Sequence, residues 1–112
     1  MIPVAIRLGR PSDLPYVVDS WVKRGHDRGE RLRVATARVR EILARPDSVL
    51  RVACLPDDSD AIIGWAVIST DEPPTLHYVY VRKDARKQGI ARLLLAGVPR
   101  QPKSEKPGDT NG

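Results

Sequence analysis

Apolar positions along this chain recur with two periods, and the places where the period changes divide it into seven elements. Val4-Ala5-Ile6-Arg7-Leu8 predicts a short first strand. Arg10-Pro11-Ser12-Asp13 supplies turn and N-cap chemistry, and Leu14, Val17, Val18, Trp21 and Val22 then fall on one face of a helix. Gly25 and Gly29 bracket a basic turn. A second amphipathic helix follows, with Leu32, Ala35, Val39, Ile42 and Leu43 inward and Arg33, Arg38 and Arg40 outward. It stops at Arg45-Pro46-Asp47, because proline disfavours helix at the residue before it.

The pattern then shortens to that of strands. Val49–Leu55 and Ala61–Thr70 are rich in β-branched residues, and the polar run Pro56–Asp60 suits a hairpin between them. Gly64 marks a bulge or a close approach of another backbone. Asp71-Glu72-Pro73-Pro74 makes the next turn, Thr75–Arg82 the next strand, and an apolar helix begins after Gly89. The order is β-α-α-β-β-β-α. From Pro99 to Gly112 the chain is polar and rich in proline, so residues 1–98 are expected to form one domain and 99–112 a disordered tail.

Composition narrows the picture. With no Phe, two Trp and three Tyr, the interior is expected to rest on Val, Leu, Ile and Ala. Cys54 is the only cysteine, which favours an intracellular, cytoplasmic protein and a buried apolar role for the thiol. Two isolated histidines and one cysteine lack metal-ligand spacing. No apolar run approaches the ~20 residues of a membrane span. The net charge of +5 is uneven: residues 82–92 hold five Lys or Arg against one acid, and residues 23–51 nine against four. The second of these clusters reads as the solvated face of a helix, or as a surface for an acidic partner or nucleic acid.

The segment Leu76–Leu95 carries the chemistry. An apolar strand ending at Val81 runs through a basic loop into Arg86-x-x-Gly89-x-Ala91 and an apolar helix. A helix start leaves backbone N–H groups without intrahelical acceptors, and Arg86 and Lys87 add positive charge. A small residue at Gly89 lets a phosphate come close. The expected ligand is an anion, most naturally a pyrophosphate.

Strand, basic turn, R/Q-x-x-G-x-G/A and helix in this order resemble the acetyl-CoA-binding signature of the GCN5-related N-acetyltransferase (GNAT) superfamily, with Arg86, Gly89 and Ala91 at its three defining positions. The resemblance extends over about residues 4–98 in element order. It implies an α/β fold with a mixed sheet and flanking helices, lacking the usual C-terminal strands. It implies acetyl-CoA as cofactor, bound by Arg86, Lys87, Gln88, Gly89, Ile90, Ala91 and Arg92. The backbone of Val79, Tyr80 and Val81 would then meet the acetyl carbonyl. The implied activity is N-acetyl transfer to an amine.

His77 is the candidate catalytic base, since imidazole titrates near neutrality and this strand lines the implied cleft. Strict alternation places His77 and Val79 on one face, and Tyr78 and Tyr80 on the other. Asp71 and Glu72 are weaker candidates for the base. His26, in the first basic turn with Arg24, Arg28 and Arg31, falls where the superfamily builds part of its acceptor wall and would attract an acidic acceptor. Two other readings stand beside the enzyme: a catalytically inactive GNAT-like accessory module, such as a phage-associated protein, and a nucleic-acid-associated acyltransferase. An unpaired strand Thr75–Arg82 also leads us to expect a homo-oligomer or larger assembly that covers it.

Overall fold

A computed structural model describes residues 2–25, 31–71 and 74–98. The elements are β1 (Ala5–Leu8), α1 (Leu14–Gly25), α2 (Leu32–Ala44), β2 (Ser48–Leu55), β3 (Asp58–Ser69), β4 (Thr75–Val81) and α3 (Ile90–Leu94), with 3₁₀ turns at Pro11–Asp13 and Lys83–Ala85. The expected order holds. His26, Arg28, Glu72 and the tail from residue 99 lie outside the described residues.

The strands form one sheet in the order β1-β2-β3-β4. Each adjacent pair is antiparallel, so the mixed sheet expected from the resemblance is purely antiparallel among the described residues. A parallel neighbour would need a crossover connection, and the described chain makes only hairpins and the α1–α2 excursion.

Two layers cover the sheet. On one face α1 and α2 bury Val17, Val18, Trp21, Val22, Ala35 and Val39 against Val52, Cys54, Trp65 and Val67. This bears out the helical spacing read from the sequence, except that Leu32, at the first turn of α2, is 58% exposed. All five aromatic residues of the chain meet here. Trp21 stacks on Tyr78 at 5.5 Å, Trp65 lies 5.5 Å from Trp21 and 5.9 Å from Tyr80, and Tyr16 meets Tyr80 edge-on at 6.4 Å. Buried Trp65 needs an acceptor for its indole N–H. Ser20 Oγ provides it at 2.9 Å and itself donates to the Tyr16 carbonyl at 2.8 Å. The interior is therefore less aliphatic than the composition suggested.

The other face is thinner. Ala53, Ile63, Ala66 and Ala85 pack beneath Ile90 and Leu94 of α3, a helix of five residues. Small side chains on the sheet and a short helix above it leave space along β4.

Two irregularities set which side chains face which layer. Ala53 pairs with Gly64 but Cys54 with Ile62, so β3 carries an extra residue at Ile63, and Ile62 and Trp65 come to the same face. A Cβ on Gly64 would sit 2.6 Å from the Tyr80 carbonyl oxygen, so this glycine stands next to the bulge and is itself the close approach. In β4, Ile68 pairs with Leu76 and Val67 with Tyr78, leaving His77 without a partner in the ladder.

A bidentate ion pair fastens the first strand to the 3₁₀ turn that leads into α1. Arg7 donates to both Asp13 oxygens at 2.8 and 2.9 Å and to the Ser59 carbonyl at 2.8 Å, while Asp13 accepts the Arg10 N–H at 2.7 Å. The bond to Arg7 is the main cause that holds the Asp13 carboxyl below its usual pKa, against an opposing push from burial.

Candidate functional site

A cleft of about 820 Å³ opens on the α3 face. Leu76, Val79 and Val81 of β4 form one wall, and Ile90, Ala91, Arg92 and Leu95 the other. Ala85, Arg86, Lys87 and Gly89 close its end. Its size falls within the usual range for small-molecule sites.

The loop 86–89 is built by unusual backbone torsions. Gly89, the N-cap of α3, has φ 80 and ψ 9, and Lys87 has φ 65. The left-handed region costs a residue with a Cβ roughly 1 kcal/mol, so Gly89 is required by its torsion and Lys87 is held in strain. The torsion adds a reason for glycine to the room expected for a phosphate, since a Cβ there would meet no protein atom within 4 Å. The first N–H groups of α3 have no intrahelical acceptors. Because α3 is one and a half turns long, charge at this end comes chiefly from Arg86, Lys87 and Arg92 rather than from a macrodipole.

Neighbouring contacts hold the loop. Arg86 Nε donates to the Val81 carbonyl at 3.0 Å, tying the loop to the end of β4. Gln88 turns away from the cleft, and its Oε1 accepts the Ile2 N–H at 2.7 Å. Arg51 reaches across from β2 and donates to the carbonyls of Leu94 at 3.0 Å and Ala96 at 2.7 Å. Those carbonyls end a helix and lack intrahelical donors, so Arg51 fixes the position of α3. An arginine among apolar residues in β2 was the sequence signal for it, and its target could not be read from spacing.

The candidate residues therefore separate. Val79, Val81, Arg86, Lys87, Gly89, Ile90, Ala91 and Arg92 line the cleft; Tyr80 and Gln88 direct their side chains elsewhere, and His77, half-buried at the bulge, is not part of its lining. The bulge also puts Leu76 on the face of Val79, where strict alternation would have put His77.

Tyr80 opens on the opposite face, in a groove of about 580 Å³ with Tyr16, Arg24, Arg82, Lys83 and Asp84. The Arg24 guanidinium lies 5.7 Å from the centre of the Tyr80 ring. Burial, and then the neighbouring Tyr80, push the Tyr16 phenol up to about 12, so it remains a hydroxyl donor at neutral pH. Among the described residues no His/Cys/Asp/Glu group could hold a metal ion, and no helix is long and apolar enough to cross a membrane.

Comparison with known proteins agrees with this arrangement. Residues 15–101, well over half the chain, match the family model described as acetyltransferase (GNAT) family. Among solved structures, a possible acetyltransferase of Clostridium difficile 630 aligns with 97% of this chain and 89% of its own at 15% identity and a TM-score of 0.62. The ribosomal-protein-alanine N-acetyltransferase of Brucella melitensis aligns over the same shares at 15% identity and a TM-score of 0.60. Arabidopsis thaliana NAA60, solved with acetyl-CoA, matches 83% of this chain at 20% identity and a TM-score of 0.60, and the chain spans 64% of its length. At these identities the likeness is one of fold. No curated protein sequence matches significantly.

Proposed function

This chain belongs to the GNAT acetyltransferase family, and we propose that it binds acetyl-CoA in the β4–α3 cleft and transfers the acetyl group to an amine. The observation that carries the reading is the cleft itself: an apolar channel along β4 that ends in a loop bearing Arg86 and Lys87, with Arg92 on the facing wall of α3. A ligand with a long uncharged arm and a pyrophosphate fits that distribution. Arg86, Lys87 and Arg92, with the N–H groups at the start of α3, would hold the phosphates. Leu76, Val79, Val81 and Ile90 would flank the arm.

Bound acetyl-CoA would supply a thioester carbonyl to an amine nitrogen, the new carbon–nitrogen bond replacing the carbon–sulfur bond and the CoA sulfur leaving as a thiol with the proton the amine gives up. The chain's part is to orient and to exclude water. The outer edge of β4 has no partner strand among the described residues, so its backbone N–H groups are available to a carbonyl oxygen. His77 lines neither cavity. His77→Asn is therefore expected to change turnover by less than about threefold, far from the roughly 10²-fold loss of a general base.

The test is to incubate the protein with acetyl-labelled acetyl-CoA and a pool of primary amines, then search the products by mass. Labelled amides above the spontaneous level support the reading. Saturable acetyl-CoA binding without any amide product contradicts it and favours the non-catalytic module.

A further inference from the structure

We propose that the acceptor taken up at the groove on the α1 side of β4 is an amine carrying a carboxylate or phosphate group. The proposal rests on the acetyltransferase reading for the direction of transfer, but its own evidence lies on the opposite face of the sheet.

The first observation is placement. Val79 and Val81 wall the cofactor cleft, while Tyr80 between them lines the groove. Cleft and groove are therefore back to back across one strand. Because β4 has no outer neighbour among the described residues, they meet at its open edge. An amine entering from the groove reaches that edge without crossing the packed interior.

The second observation is charge. Among the described residues, Arg24, Arg82 and Lys83 line the groove against a single acid, Asp84, which already accepts from Arg82 at 2.9 Å. The nearby Asp19 lies 3.4 Å from Lys23. A plain alkylamine or polyamine arrives as a cation and is repelled by this surplus. An amine with an anionic group pairs that group with the surplus and brings its nitrogen in at no net electrostatic cost.

The third is the shape of the wall. The Tyr80 ring, with Arg24 over it, is a flat apolar surface, and since the Tyr16 phenol is hydrogen-bonded to Tyr80, one hydroxyl of this pair is left to donate to an anionic oxygen. Flat apolar surface, cations and a hydroxyl donor together suit a short, anion-bearing amine.

O-phosphoethanolamine and L-aspartate serve as anionic probes, with ethanolamine and putrescine as controls. Each is titrated by NMR with and without saturating CoA. The anionic probes are expected to bind about tenfold more tightly than the controls, with shifts centred on Tyr80 and Arg82. Arg24→Gln/Lys83→Gln, at two exposed positions, is expected to erase that preference while the acetyl-CoA-induced rise in unfolding midpoint persists. Equal binding of anionic and plain amines, or an unchanged preference in the double variant, would overturn the proposal. Loss of the acetyl-CoA response in the unaltered protein would instead strike at the cleft, and the amine titration would still decide the groove.

Discussion

The two faces of the sheet are built to different standards. Beneath α1 and α2 every aromatic ring of the chain is gathered, and the Trp65 indole is hydrogen-bonded through Ser20 to the helix backbone. Beneath α3 the sheet offers Ala53 and Ala66, the helix has five residues, and an arginine from the next strand secures its end. Stability is concentrated on the first face. The second leaves the cleft open because its side chains are too small to close it. A binding site needs that vacancy, and only a well-packed opposite face lets so small a domain tolerate it.

The largest effect should come from the packed face. Trp65→Ala removes the centre of the aromatic cluster and is expected to cost about 3–5 kcal/mol in urea unfolding. Leu94→Ala, beside the cleft, should cost less, about 2 kcal/mol, since that wall is free to relax. Equal losses would erase the contrast.

Acid should act next, and also on the packed side. Bonding to Arg7 depresses the Asp13 pKa in the folded state. The stabilisation is therefore complete above the unfolded value of about 4 and is lost as pH falls through the folded value. Asp13→Asn leaves Arg7 without its counter-charge and is expected to cost about 3 kcal/mol at pH 7. It should also flatten the loss of stability below pH 4, read from urea midpoints across pH 2.5–6.

Arg51→Met sharpens the comparison from the other side. Unfastening α3 is expected to lower global stability by about 1–2 kcal/mol. It should weaken acetyl-CoA binding by a larger margin, as measured by calorimetry. Smallest is Lys87→Gly, which relieves the left-handed torsion and should raise stability by about 1 kcal/mol while reducing acetyl-CoA affinity a few-fold through loss of charge.

Most of the packed face was legible in the sequence. Leu14 through Val22 and Ala35 through Leu43 are spaced as a helix face must be, and the β-branched runs mark β2 and β3. The loop 86–89 was legible for a different reason, because a glycine and basic residues between a strand and a helix point to one local geometry. What escaped was register. Gly64 marked the irregularity in β3, next to the extra residue at Ile63, but the extra residue in β4 at His77 leaves no compositional mark, and it puts Leu76 beside the cleft in place of His77. Long-range polar contacts escaped as well. The partners of Arg51 stand more than forty positions away, and Gln88, expected among the cofactor-binding residues, is drawn off by the backbone of Ile2.

The most direct measurement of the central claim is thermal unfolding of the unaltered protein and of Arg92→Glu, each with and without acetyl-CoA. Arg92 is exposed on α3 and faces the cleft, so reversing its charge should leave the unliganded midpoint nearly unchanged. A ligand specific to the folded state, at a hundredfold excess over its Kd, adds about 2.7 kcal/mol and should raise the midpoint by roughly 10 °C. The account predicts that rise in the unaltered protein and its near disappearance in Arg92→Glu. An equal rise in both proteins would place the cofactor elsewhere and contradict the cleft as its site.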